Sequence, residues 1–199
     1  MQKNKTIKIT QIAIFTAIAT VVSLLDFPLP FFPSFYKLNL SDAVVLIGGF
    51  SLGALEGVII VFLRMILSFL LKGTSTFFIG DFANCILSIF FVLPSFIIYK
   101  KNRTLKGAIV GMAVGIFSLL FFSAILNYFV LITLYLTVLM IPVKNLLSIF
   151  HVNSLFEFIL FFVLPFNLLK GVVCSFIALI TYKRLSKFIN KISSKNFSR

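Results

Sequence analysis

The apolar runs constrain this chain more than any other feature. Charges are rare in five stretches: Ile7 to Leu25, Asp42 to Leu71, Phe82 to Tyr99, Leu105 to Ile141 and Leu155 to Tyr182. A helical membrane span needs about 20 apolar residues, whereas an outer-membrane barrel alternates apolar and polar residues over segments of about 10. These runs are continuous, so they predict helices. With 60% hydrophobic and 12% charged residues and a mean hydropathy of +1.14, the chain lies far from a soluble domain, which carries about 25% charge. It reads as an all-α integral membrane protein, a single transmembrane domain over residues 1–199.

Charge then sets the topology. Lys and Arg number 18 against 5 Asp and Glu. In a soluble protein that balance points to nucleic acid. Here the cations gather between and after apolar runs, the positive-inside pattern, and nucleic acid is set aside as a partner. Cys85 and Cys174 lie within apolar runs, where a thiol behaves as a small hydrophobe, and their spacing suggests neither a disulfide framework nor a metal site. No small-residue cleavage site separates the basic, then apolar, N-terminal segment from Asp26, so it is read as a retained first helix.

That first span covers about 7–25 and stops at Asp26-Phe27-Pro28, since proline ends helices and extends what precedes it. The loop 26–41 holds Pro28, Pro30 and Pro33 among Phe27, Phe31, Phe32 and Phe35, too apolar for a solvated linker. It is expected to lie back on the protein. Ser41 or Asp42 is expected to N-cap the next run. The runs 42–71 and 105–141 are each long enough to be one crossing or two. If the N-terminus, the cluster Lys100, Lys101, Arg103 and Lys106, and the tail from Lys183 to Arg199 are all cytoplasmic, the other loops keep only Lys37, Lys72 and Lys144. That requires 42–71 to cross twice and 105–141 once. Six transmembrane helices result, with both termini cytoplasmic: 7–25, 42–53, 56–71, 82–99, 105–126 with an outer extension to 141, and 155–182.

Asn167 and Lys170 are three apart, so both project from one face of the last helix, near its outer end. A lysine inside an apolar run costs about 2.5 to 3.5 kcal/mol on insertion scales, so it normally faces a cavity or a partner. Either Lys170 snorkels or pairs with Asp81 or Glu157 while Asn167 caps a kink after Pro165, or the two line an outward-facing ligand site. An amide and an ammonium together suit a planar heterocycle with carbonyl oxygens and ring nitrogens. Asn127 lies at similar depth, with an interhelical hydrogen bond as its structural alternative. Gly73-Thr74-Ser75-Thr76 and Gly80-Asp81 form either a turn with a helix cap or a polar lip, and they lack the spacing of a phosphate loop. Glu56 is expected to face cytoplasmic water and Arg64 to snorkel or pair. His151 has no cluster of potential ligands around it, and no nucleophile with a base or paired acids suggests an enzyme. Ala13 and Ala17 make a small-residue strip on the first helix, suited either to internal packing or to another chain.

Several stretches, in this order and spacing, resemble the riboflavin-specific substrate-binding (S) components of energy-coupling factor (ECF) vitamin transporters. They are Pro33-Ser34-Phe35-Tyr36-Lys37-Leu38-Asn39-Leu40-Ser41-Asp42, Ile47-Gly48-Gly49-Phe50 with Gly53, Gly73-Thr74-Ser75-Thr76 with Gly80-Asp81-Phe82-Ala83-Asn84, Asn127-Tyr128-Phe129, and Asn167-Leu168-Leu169-Lys170-Gly171. The resemblance implies the ECF S-component fold in the cell membrane, a non-enzymatic role, and riboflavin, or its phosphate FMN, captured from outside under a lid made by loop 26–41. It implies that Asn127, Asn167 and Lys170 hold the isoalloxazine ring. It also implies that Leu38, Asn39, Leu40, Thr74, Thr76, Gly80 and Asp81 flank the ligand. Ala13 and Ala17 match the docking face for a coupling transmembrane subunit driven by two ATPase subunits, so ATP is used by the partners only. Four positions depart from the family pattern: Asn39 replaces an Asp, Phe77-Phe78 a glycine pair, and Asp81 a Glu. An S component for thiamine or folate, and a standalone secondary carrier, are the competing readings.

Overall fold

The structure, a computed structural model, describes residues 2–33, 36–73, 79–132, 134, 137 and 142–196. Thr74 and Thr76, expected near the ligand, lie outside the described residues. Helix α1 (Gln2–Leu24) leads into two short strands, β1 (Phe27–Pro28) and β2 (Lys37–Leu38). Then come α2 (Ser41–Leu52), α3 (Ala54–Lys72), α4 (Ile79–Lys101) and α5 (Leu105–Leu126). Helix α5 continues as a π-helical turn, Asn127–Leu131. After α6 (Val143–Ile149), α7 (Leu155–Phe158) runs through a second π-turn, Ile159–Val163, into α8 (Leu164–Asn196). Among the described residues, five helical segments are long and apolar enough to cross a membrane: Lys5–Leu24, Ala54–Lys72, Ile79–Lys101, Leu105–Val130 and Leu155–Tyr182.

Helix α2 is the exception, and the bundle is arranged around it. Its 12 residues reach about 18 Å at 1.5 Å per residue, well short of a hydrocarbon core about 30 Å thick. A helix that is apolar all round must be buried all round. Ala43, Val45, Leu46, Ile47, Gly48, Gly49 and Phe50 are all buried, against α1, α3, α4 and α8. The chain reverses into α3 through Gly53 alone, at φ 130°, a conformation open to glycine and strained for other residues. Helices α4 and α5 approach closely because α5 presents Gly115 to α4. A Cβ there would stand 2.4 Å from the Phe91 carbonyl oxygen, the small-residue contact that membrane helices use for tight packing.

Neither Ser41 nor Asp42 caps α2 as expected. Leu40 holds the cap position without a side-chain bond, and Asn39 Oδ1 accepts from the Ser41 backbone N–H at 2.9 Å instead. The Ser41 hydroxyl and the Asp42 carboxylate are both engaged by Arg64. Loop 26–41 folds back as a hairpin, with Phe27 opposite Leu38 and Pro28 opposite Lys37. It lies on α8, where Phe32 and Tyr36 meet the Phe166 ring at centroid distances of 5.5 and 5.3 Å. The two π-turns pack on each other at the same end of the bundle, over a cluster of Ile132, Leu146, Phe158, Ile159 and Val163. Such turns mark places where the regular ladder is interrupted, frequently at functional sites. The second is followed, after Leu164, by Pro165, which has no N–H to donate to that ladder.

Candidate functional site

The site begins with an amide beside each π-turn. Asn127, the first residue of one, donates Nδ2 to the Ser123 carbonyl at 2.8 Å. Asn167, one turn beyond the other, donates Nδ2 to the Val163 carbonyl at 2.9 Å. Each amide thus satisfies a carbonyl of its own helix where the ladder changes pitch. The carbonyl oxygen of Asn127 accepts from the Tyr36 hydroxyl at 2.5 Å. Tyr36 therefore joins the folded-back loop to α5 through its hydroxyl and to α8 through its ring. Asn127 and Asn167 are 1% and 3% exposed.

One turn further along α8 the chemistry changes from amides to charges. Lys170 Nζ stands 2.9 Å from Asp42 Oδ2 and donates to Asn84 Oδ1 at 2.6 Å. The other carboxylate oxygen, Oδ1, accepts from Arg64 Nη1 at 2.7 Å and from the Ser88 hydroxyl at 2.6 Å. Ser88 in turn accepts from Arg64 Nη2 at 3.0 Å. Four helices meet here: α2 brings Asp42, α3 Arg64, α4 Asn84 and Ser88, and α8 Lys170. Asp42, Arg64 and Lys170 are all under 5% exposed. Buried charges are tolerated only when paired and hydrogen-bonded, and here one carboxylate serves two cations. The cluster is left with one positive charge in excess.

The partner of Lys170 is therefore Asp42 and neither of the acids expected from sequence. Glu157 is occupied locally, its Oε2 accepting from the Asn153 backbone N–H at 2.8 Å beside the Ser154 cap of α7. Asp81 and Gly80 lie half-buried in the first turn of α4. Arg64 does not snorkel but is enclosed. Glu56 does not simply face water: it pairs with Lys8, and its side chain is 12% exposed. Leu38 and Asn39 are buried and Leu40 half-buried, at the foot of the hairpin where it enters α2. Asn39 spends its side-chain oxygen on the start of α2. Ala13 and Ala17 are exposed on α1, while Thr16, Ala19 and Thr20 on its other side are buried.

Sequence reasoning passed over Asp42, Ser88 and the linking role of Tyr36, and it left Arg64 without a partner. The available signal was charge. Asp42 and Arg64 both lie within one apolar run, and an intramembrane acid and base are expected to find each other. A recess of about 520 Å³ beside His151, bounded by Lys144, Leu147, Ser148, Val152 and Asn153, includes none of these residues. Among the described residues no group of three His, Cys, Asp or Glu could hold a metal ion.

Comparison with known proteins places this arrangement in a family. The chain is 33% identical over 192 residues to riboflavin transporter RibU of Staphylococcus aureus, covering 96% of both chains. It is 27% identical over 185 residues to riboflavin transporter FmnP of Bacillus subtilis, covering 92% of this chain and 94% of that one. A solved structure of the S component of a bacterial ECF transporter superposes with a TM-score of 0.75 at 30% identity, over 93% of this chain and 98% of that one. The family model for the substrate-specific component of ECF transporters matches residues 7–182, and the chain belongs to that family.

Proposed function

We propose that this protein is the riboflavin-binding subunit of an ECF-type importer. It captures the vitamin from the outer side under the folded-back loop and delivers it once docked on a separate coupling module. The family consists of transporter components, so no catalysis is assigned to the chain itself. The observation that supports the reading is that Asn127, Asn167 and Lys170 are buried polar residues on α5 and α8, two helices that Tyr36 of the hairpin links, in a chain whose relatives are named riboflavin transporters. The two amides and the ammonium orient the isoalloxazine ring, and the aromatic and aliphatic surroundings supply most of the affinity. Riboflavin is the ligand proposed, with FMN as a second one.

The topology proposed has six crossings with both ends cytoplasmic, α2 and α3 forming a hairpin that turns at Gly53. Its support is the clustering of Lys and Arg at both ends and between α4 and α5. Docking on the coupling transmembrane subunit, with its two ATPases, is assigned to Ala13 and Ala17. Both lie on the exposed side of α1, so this chain's own packing does not use them.

The direct test is colour and fluorescence. Protein purified in detergent is expected to carry or bind flavin, giving a yellow preparation or quenching added riboflavin fluorescence. A colourless preparation that leaves riboflavin fluorescence unchanged while binding thiamine or folate would move the protein to another vitamin. Tryptophan at Ala13 and Ala17 is expected to abolish uptake while leaving riboflavin binding intact. Loss of both would return that strip to internal packing.

A further inference from the structure

Lysine has three N–H donors, and among the described residues Lys170 donates to Asn84 Oδ1 at 2.6 Å while its ammonium stands 2.9 Å from Asp42 Oδ2 as an ion pair. Asp42 is itself held by Arg64 and Ser88 through its other oxygen. We infer that Asn84 and Asp42 are positioning residues that fix the Lys170 ammonium so that an N–H not spent on Asn84 is presented to the ligand. This rests on the proposed flavin site. A long lysine stem left to itself has many rotamers and tends to snorkel toward water. Two anchors on different helices, α2 and α4, remove that freedom before the ligand arrives, so the ordering cost is met on folding and not on binding. The anchors differ in kind. Asp42 supplies the charge that keeps the ammonium in the apolar bundle, whereas Asn84 is neutral and half-buried and supplies direction. Asn84 is therefore the residue to change, because its loss leaves the charge pairing in place.

The test is a double-mutant cycle read by riboflavin fluorescence quenching on full-length protein in detergent, with Asn84→Ala, Lys170→Ala and the double variant. Lys170→Ala leaves Asp42 paired with Arg64, a balanced pair, so no uncompensated charge is left in the core. Asn84→Ala is expected to weaken riboflavin binding about 10-fold, the loss of one charge-assisted hydrogen bond. In the Lys170→Ala background the same change is expected to alter affinity less than about 2-fold, since residues acting through one another are non-additive. The full loss repeated in that background overturns the inference, because Asn84 would then act on the flavin directly or through general stability. Should Asn84→Ala fail to accumulate, Asn84→Ser is read in the same cycle by the same criteria. Unchanged affinity in Lys170→Ala overturns the flavin site itself. Weakened binding in Lys170→Ala with unchanged binding in Asn84→Ala overturns this inference alone.

Discussion

Two polar regions of the bundle are built on opposite principles. At the π-turns, Asn127 and Asn167 each make a local bond to a carbonyl of their own helix, and Tyr36 reaches across from another element. At the charged centre every strong bond crosses between helices, and Asp42 is shared by α2, α3, α4 and α8. Local neutral bonds are worth little to the fold: interhelical hydrogen bonds in membranes average about 0.6 kcal/mol. Breaking a buried ion pair by removing one partner costs about 3–5 kcal/mol. At the proposed flavin site, the first region is the one expected to exchange partners when a ligand arrives. The second cannot, and it holds the frame against which the first works.

That contrast can be broken by experiment, starting with the largest effect. Asp42→Ala leaves Arg64 and Lys170 as uncompensated buried cations, and the variant is expected to be lost from the membrane fraction or to elute as aggregate on size exclusion. A monodisperse Asp42→Ala protein with native thermal stability would mean that the centre is not what holds the four helices together. Next in size is Arg64→Met. It removes one cation and leaves Asp42 to Lys170, a balanced pair, so it is expected to fold better than Asp42→Ala, a ranking read from the two unfolding temperatures. Asn167→Ala should leave the unfolding temperature within about 4 °C of wild type while weakening riboflavin about 10-fold. A large loss of stability there would erase the distinction between the regions. The smallest effect is expected from Tyr36→Phe, which keeps the ring on Phe166 and deletes only the hydroxyl on Asn127. A few-fold faster riboflavin dissociation, followed by fluorescence recovery, is the outcome that assigns Tyr36 to the closed loop.

Much of the architecture could be read along the chain, and the physical reason differs from element to element. Apolar run length identifies a helix wherever the surrounding solvent is lipid, because backbone groups have no other partner there. The strand pairing of β1 with β2 was hidden behind three prolines and four phenylalanines, which signal that the loop is not helical and lies back on the protein but not which residues pair. Asn167 and Lys170 could be paired from their spacing because one helix carries both. The partner of Lys170 could not be found in that way. Asp42 is remote in sequence, and three helices had to pack before it was nearer than Asp81 or Glu157. Asp42 also looked like a cap, since an acid in the first turn of a helix is usually placed there for the free N–H groups. Enclosure beside Arg64 changed its role.

The sequence alone therefore determined that this is a helical membrane protein, that its cations gather at the proposed inner side, and that its family resemblance singles out Asn127, Asn167 and Lys170. These follow from composition, period and motif, which are properties of neighbouring residues. The tertiary structure decided that one carboxylate on the 12-residue helix α2 pairs with two cations from two others, and that Tyr36 bridges the hairpin to both amide-bearing helices. It also decided that Ala13 and Ala17 stay uncovered. Those depend on which helix faces come together, a matter of packing that spacing along the chain does not encode.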